Sequence, residues 1–292
     1  EPYEGSPANK AGLKAGDRII ELNGKPTAGK SYEDVSSILK GQSGSMVHLR
    51  IQREGEPEII EKNITREIIK IDNIPFSGMV AEGTGYIKLT GFTQNAGKEV
   101  KQAFMKLREG NKLQDIIIDL RGNGGGLLNE AVDIANLFVE RGQEIVSTKG
   151  KMADKNRTHF TMNPPVDLNI PVVVLVDRQS ASDREILAGS MQDLDRVVIV
   201  GQRTFGKGLV QNVVPLSYNA QIKITVAKYY IPSGRCIQAI DYEHKKKDGS
   251  FGKIPDSLIR AFKTRNGRTV YDGGGIQPDL LTEPRKFSNV AL

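Results

Sequence analysis

The sequence has one cysteine, Cys236, no tryptophan and three histidines in 292 residues. A single thiol excludes an internal disulfide and any cysteine-rich metal site, and it leaves the redox compartment open. No apolar run approaches the roughly 18 residues needed to cross a bilayer, so no transmembrane segment is expected. Charge of one sign is also scarce, since 41 Lys and Arg against 35 Asp and Glu give +6. Apart from "HKKKDG" at His244–Gly249 the basic residues are interspersed with acidic ones, and without a basic stripe nucleic acid is not an expected partner. The short supply of histidine matters most. His48 falls in a strand-like stretch, His159 in a polar loop and His244 in a charged excursion, so none stands in a strand-to-helix turn with a serine or glycine motif. A Ser-His-Asp triad is therefore disfavoured.

What is present describes a globular chain of two domains, 38% hydrophobic and 26% charged. Over 1–67 the pattern is strands and turns around one helix: "GDRIIELNGKPT" is a strand between glycines, "SYEDVSSILKG" a capped helix, and "SMVHLRIQREG" an alternating strand. Over 68–292 strands alternate with helices, which predicts an α/β unit. "GTGYIKLTGF", "LQDIIIDLRGNGGG", "IPVVVLVD" and "RVVIVG" read as strands; "GKEVKQAFMKLREGN", "LLNEAVDIANLFVERGQ" and "REILAGSMQD" read as helices. The turns that follow the strands should gather at one sheet edge, where α/β folds place their sites. "AIDYEHKKKDGSFGKIPDSLIRAFKTRNGRTVYDGGG" reads as a peripheral excursion. No signal peptide is visible, and the start "EPYEGSPANKAGL" already reads as folded sequence, which suggests a leader removed upstream.

Three stretches carry candidate chemistry. In "VDRQSASDREILAGSMQD", Ser182 ends an apolar run and has Glu185 three residues on, so it reads either as a helix cap or as a nucleophile. A serine nucleophile needs a base, and a lysine serves only if burial lowers its pKa from about 10.4 toward neutrality. Lys207 in "RTFGKGLVQ", flanked by Gly206 and Gly208, is placed for that. "DLRGNGGGLLNEA", with Gly124, Gly125 and Gly126, offers backbone N–H groups at a helix start, an oxyanion hole or simply a tight turn. It is not a Walker loop, because no Gly-Lys-Ser or Gly-Lys-Thr follows.

Taken in order, "GYIKLTGF", "IIIDLRGNGGGLL", "SASDREILAGSMQD", "GQRTFGKGLVQ", "KITVAKYYIPSGRCIQ" and "GGGIQPDLLTE" resemble the carboxyl-terminal processing peptidases, or tail-specific proteases. "SPANKAGLKAGDRIIELNGKPT" with "SYEDVSSILKG" and "VHLRIQR" resembles a PDZ domain. The resemblance implies an α/β (α+β overall) crotonase-like or Clp-protease-like core behind a PDZ domain whose carboxylate-binding loop would precede Glu1, so that this unit is partly truncated. It places Ser182 at the nucleophile, Lys207, 25 residues later (207 minus 182), at the general base, and Gln211 at the glutamine that orients the lysine. One of Gly125 and Gly126, with the N–H of Asp183, would hold the oxyanion, and Glu185, Asp193 and Arg121 would take structural roles. Val35, Ile38 and Leu39 would line the PDZ groove, or form the plain core of a small domain.

The implied activity is endoproteolysis near the C-termini of unfolded or tail-marked proteins, with protein or peptide partners, no metal and no cofactor. The resemblance allows a homo-oligomer and implies a periplasmic or cell-envelope location. One feature departs from the family, which usually has small residues between nucleophile and glutamate where this chain has Asp183 and Arg184. A carboxylate there can keep Lys207 protonated, so gated or reduced activity is expected unless Arg184 neutralises it or both point away. The alternatives are a peptide-binding scaffold of the same fold that has lost catalysis and, less consistent with the PDZ unit, an acyl-coenzyme A enzyme.

Overall fold

A computed structural model describes residues 2–3, 5–69, 72–110, 112–122 and 125–283. Contacts divide the chain into two compact units, Glu1–Ile71 and Asp72–Leu292.

The first unit comprises α1 (Pro7–Lys10), β1 (Arg18–Leu22), β2 (Lys25–Pro26), α2 (Tyr32–Leu39), β3 (Met46–Gln52) and β4 (Ile60–Thr65). Its antiparallel sheet has the order β2-β1-β3-β4. Alternation along β3 sends Val47, Leu49 and Ile51 inward to meet Leu22 and Ile64. Val35, Ile38 and Leu39 of α2 lie half-buried on that core. The helix starts with a reciprocal cap, Asp34 N–H to Ser31 Oγ at 3.1 Å and Ser31 N–H to Asp34 Oδ2 at 3.2 Å.

The second unit runs β5 (Phe76–Ala81), β6 (Thr84–Lys88), α3 (Ala96–Arg108), β7 (Asp115–Asp119), α4 (Leu128–Ala135), β8 (Glu144–Lys149), β9 (Arg157–Phe160), β10 (Val172–Val176), α5 (Asp183–Asp193), β11 (Val198–Gly201), β12 (Leu209–Pro215), β13 (Gln221–Tyr230), β14 (Ile240–Lys245), β15 (Phe251–Lys253), β16 (Ala261–Lys263), β17 (Thr269–Tyr271) and β18 (Leu280–Leu281). The main sheet has the order β18-β11-β10-β7-β6-β5 and is parallel except for β5. Its central strands are near-continuous apolar runs because helices cover the sheet. Ile116, Ile118 and Val174 pack with Phe104 of α3, Ile134 of α4 and Leu187 of α5, each 0% exposed. The expected α/β class is what forms.

Two features differ from the sequence expectation. The helix read through Gln143 ends at Ala135, where the buried Asn136 accepts from the N–H groups of Met162 and Asn163 and donates to Asn163 O. Those bonds turn the chain, which continues in tight i→i+3 bonds at Leu137 and Phe138. A second sheet, β12-β13-β8-β9, lies outside the sequence expectation, and the peripheral excursion contains two hairpins, β14-β15 and β16-β17.

The parallel run decides where chemistry can sit. The glycine turn follows β7, the serine turn follows β10 and the Lys207 loop follows β11, so all three leave the same sheet edge.

Candidate active site

Ser182 lies between β10 and α5 with φ 61° and ψ −116°. The serine caps Ser6 and Ser31 have φ near −70° and ψ near 160°, the extended backbone an ordinary cap adopts. Ser182 heads its helix in a backbone conformation that those caps do not use, and a side chain held there is strained. Neighbouring bonds enforce it. Ser180 Oγ donates to Leu120 O at 2.8 Å, and Asp177 accepts from the N–H groups of Gln179, Ser180 and Gly122.

Glu185, 0% exposed, ties the serine turn to the lysine loop. Its Oε2 accepts from Ser182 N–H at 3.0 Å and Lys207 N–H at 2.8 Å, and its Oε1 from Thr204 Oγ1 at 2.5 Å and Gly206 N–H at 2.7 Å. Burial pushes this carboxyl's pKa up, while the donors around it favour the charged form. Thr204, which sequence reasoning missed, also accepts from Ile276 N–H at 2.7 Å, joining the "GGGIQP" segment to the site.

Lys207 departs from expectation. Its flanking glycines do permit close approach, but to the Gln238–Ala239 backbone: a Cβ on Gly206 would lie 2.3 Å from Ala239 Cβ, and one on Gly208 2.6 Å from Gln238 N. The lysine itself is exposed rather than enclosed in a dry pocket. Gln211 is exposed as well and donates to Thr225 Oγ1 at 3.3 Å, next to an irregularity in the β12–β13 register.

The glycine turn is engaged by the two residues after Ser182. Asp183, 2% exposed, accepts from Gly126 N–H at 2.6 Å. Arg184, 1% exposed, donates to Gly122 O and Thr90 O. Of the three arrangements the sequence allowed, Asp183 paired with Lys207, Asp183 paired with Arg184, or both turned away, none is the one seen: both side chains grip the backbone around the glycine turn. Burial pushes the Asp183 carboxyl up, opposed by Gly126 N–H and by the charges of Lys207 and Arg184. Gly126 must be glycine, because a Cβ there would lie 2.3 Å from Phe92 O. Gly125 is close to the serine, its hypothetical Cβ 4.0 Å from Ser182 Cβ. Gly124 lies outside the described residues.

Asp193 lies away from this cluster, whereas Arg121 immediately precedes Gly122, which Arg184 and Asp177 hold. Asp193 ends α5, roughly 16 Å of helix rise from Ser182. There it pairs with the buried Arg235 at 2.8 Å and accepts from Ser233 N–H at 3.0 Å, which explains the "PSGRC" stretch. Arg121 pairs with Asp119 at 2.7 Å, to which Tyr86 OH also donates. Val35, Ile38 and Leu39 belong to the first unit.

An open cleft of about 670 Å³ adjoins the site through Leu127, beside Gly126, and Val210, beside Gln211, with Ile224, Val226 and Tyr229 adding apolar surface. Tyr229 has its pKa pushed to about 12 by burial and by the charge of Asp183. A cavity of about 690 Å³ between β13 and the two hairpins contains none of the site residues. Among the described residues no cluster of His, Cys, Asp and Glu is arranged to hold a metal, and no helix is long and apolar enough to cross a membrane.

The family model for peptidase family S41 matches residues 83–245, and that for a PDZ domain matches residues 1–53. The chain belongs to peptidase family S41. A carboxy-terminal-processing protease of Bartonella bacilliformis is 36% identical over 243 residues, covering 82% of this chain and 55% of that protein. A carboxyl-terminal-processing protease of Synechocystis sp. is 38% identical over 261 residues, covering 88% and 58%. The chain thus spans about half the length of these relatives. The solved structure of a photosystem II D1 C-terminal processing protease is 30% identical with a TM-score of 0.57, covering 97% of this chain and 67% of that one. Related processing proteases include chloroplastic and bacterial proteins.

Proposed function

We propose that this chain is the peptidase part of a carboxyl-terminal processing protease working through Ser182 and Lys207. The observation that carries the reading is the strained backbone of Ser182, tied through Glu185 to the backbone of Lys207. Ser182 Oγ attacks the scissile carbonyl carbon and its proton passes to Lys207 Nζ. Backbone N–H groups of Asp183 and the glycine turn hold the oxyanion, and Lys207 returns the proton to the departing amine as the C–N bond breaks. Water, deprotonated by Lys207, then releases the acyl group.

Because Lys207 is exposed, the bound peptide supplies the desolvation that a neutral amine needs, and Gln211 turns from Thr225 to orient it. The apolar cleft beside Leu127 and Val210 supports an extended, unfolded tail as substrate. Recognition of that tail by the α2 face of the PDZ unit, and a place in the periplasm or cell envelope, complete the reading by family likeness.

The test is hydrolysis of an unstructured protein such as casein by the purified chain, Ser182→Ala and Lys207→Ala. Cleavage by the wild type, with both variants folded and at least a thousandfold slower, is the expected result. Cleavage that survives Ser182→Ala removes the reading.

A further inference from the structure

The catalytic scheme uses neither the Asp183 carboxylate nor the Arg184 guanidinium, yet both are buried, where an unmatched charge is strongly unfavourable. Their contacts account for both groups save Arg184 Nε, which is buried without a hydrogen-bond partner. Arg184 holds Gly122 O at one end of the glycine segment, and Asp183 holds Gly126 N–H at the other. Asp183 Oδ2 is thereby an anionic oxygen bound 2.6 Å from a backbone N–H, with Gly125 and Ser182 packed alongside. That is the arrangement a tetrahedral intermediate needs for its own oxygen.

We propose that the Asp183 side chain is a built-in latch: it occupies the Gly126 donor in the resting protein, and a substrate carbonyl must displace it before Ser182 can react. The proposal rests on the roles given above to Ser182 and the glycine turn, and it selects Gly126 over Gly125 as the oxyanion donor. Arg184's bonds to Gly122 O and Thr90 O do not involve Asp183, so Gly122 stays held when the carboxylate is displaced. Asp183→Ala removes the occupant and retains the Asp183 position's own N–H, so the two backbone donors remain. Asp183 acts here as a positioning residue.

The experiment measures kcat and KM on an unstructured protein for the wild type, Asp183→Ala and Asp183→Asn, with Ser182→Ala added to each. In parallel, the Gly126 amide proton is followed by NMR in glycine-labelled Ser182→Ala protein with and without Asp183→Ala. Displacing a charge-assisted hydrogen bond slows a reaction by a factor on the order of ten, so Asp183→Ala is expected to raise kcat about tenfold with little change in KM. Asp183→Asn falls between, its amide oxygen still accepting but uncharged. The Gly126 proton is expected far downfield, moving upfield and losing exchange protection when the carboxylate is removed.

A Gly126 signal indifferent to Asp183→Ala overturns the latch contact itself. A responsive signal with kcat unchanged or lower in both variants overturns its role, and leaves Asp183 as a support of the turn. Inertness of wild type and variants alike overturns the latch in favour of a scaffold that has lost catalysis. Hydrolysis that persists in Ser182→Ala/Asp183→Ala faults the Ser182 reading instead, and takes the latch with it.

Discussion

Replacing Glu185 by Gln removes a charge and one acceptor while preserving shape, in a site whose donors are all accounted for. The carboxylate is 0% exposed and takes Thr204 Oγ1 and Gly206 N–H on one oxygen, Ser182 N–H and Lys207 N–H on the other. With the amide nitrogen on the second side, two backbone N–H groups face a donor and neither can turn away. With it on the first side, Gly206 N–H is orphaned, and the buried Thr204 hydroxyl, which already accepts from Ile276 N–H, loses the acceptor for its proton, so either orientation leaves two donors unmet. Each buried orphan costs about 1–3 kcal/mol, and lost charge assistance on the surviving bonds adds about 1 kcal/mol. A total of about 3–7 kcal/mol corresponds to a fall in Tm of roughly 6–28 °C for a unit of this size. The Ser182 and Lys207 backbones lose their common anchor, and a displacement of about 1 Å at reacting groups lowers kcat on the order of a hundredfold. Thermal unfolding followed by far-UV circular dichroism, with casein hydrolysis on the same samples, checks both. A Tm within about 2 °C of wild type and an unchanged kcat would refute the claim that this carboxylate joins the two loops.

Three further outcomes are expected. Ser182→Gly relieves the strain at φ 61° and raises stability by about 1 kcal/mol while abolishing hydrolysis; a lower Tm than Ser182→Ala, which keeps the Cβ, refutes the strain. Arg235→Ala leaves Asp193 buried without its counter-charge and lowers the urea-unfolding free energy by about 3–5 kcal/mol; a loss below about 1 kcal/mol shows that the pair adds nothing beyond packing. In the first unit, the Arg53 guanidinium holds the Asp17 carboxyl at about 2, below its ordinary 3.8. A depressed folded value means the stability is present above 3.8 and is lost as pH falls through 2. Exchange protection of β1 and β3 amides in the whole chain should persist to lower pH than in Arg53→Met, and identical acid profiles rule the pair out.

The order of strands and helices in the second unit was legible because each parallel strand is a short apolar block closed by a polar or glycine turn, and the register of that alternation survives folding. β8, β9, β12 and β13 were not legible, because their side chains are largely exposed or mixed in character, and the β13–β8 pairing that joins the two local pairs into one sheet links residues far apart in sequence. The Ser182–Glu185 spacing was visible, but its ordinary meaning is a cap, and no sequence pattern reports that the serine backbone has entered a left-handed region. Lys207 shows the opposite failure. Its flanking glycines suggest room for neighbours to close on the amine, whereas the space is taken by the Gln238–Ala239 backbone and the side chain stays outside. Asp183 and Arg184 were visible as a departure from the family, while the carbonyl and amide they grip are apparent only with β7 and β10 side by side.

All eleven residues of α5 are buried, and four of them, Asp183, Arg184, Glu185 and Asp193, are ionisable. A helix with that content is a poor choice for packing alone, since an apolar helix would fill the same space without the desolvation of charged groups. Each charge answers to a partner on a different segment: Gly126, the Gly122 and Thr90 carbonyls, the Thr204–Lys207 loop, and Arg235. The glycine turn, the lysine loop and the "PSGRC" stretch are therefore positioned by directional bonds from one rigid element. Apolar packing fixes volume and tolerates small slides; a carboxylate with donors from two loops does not. The strained serine is set at the head of this same helix, so the bonds that hold α5 in place also hold Ser182 out of the extended conformation a free cap would take. On this arrangement, substitutions at Glu185 or Arg235 should reduce stability and hydrolysis together, whereas Ser182→Gly should move them in opposite directions. Removing a side chain whose strain serves the reaction trades hydrolysis for stability.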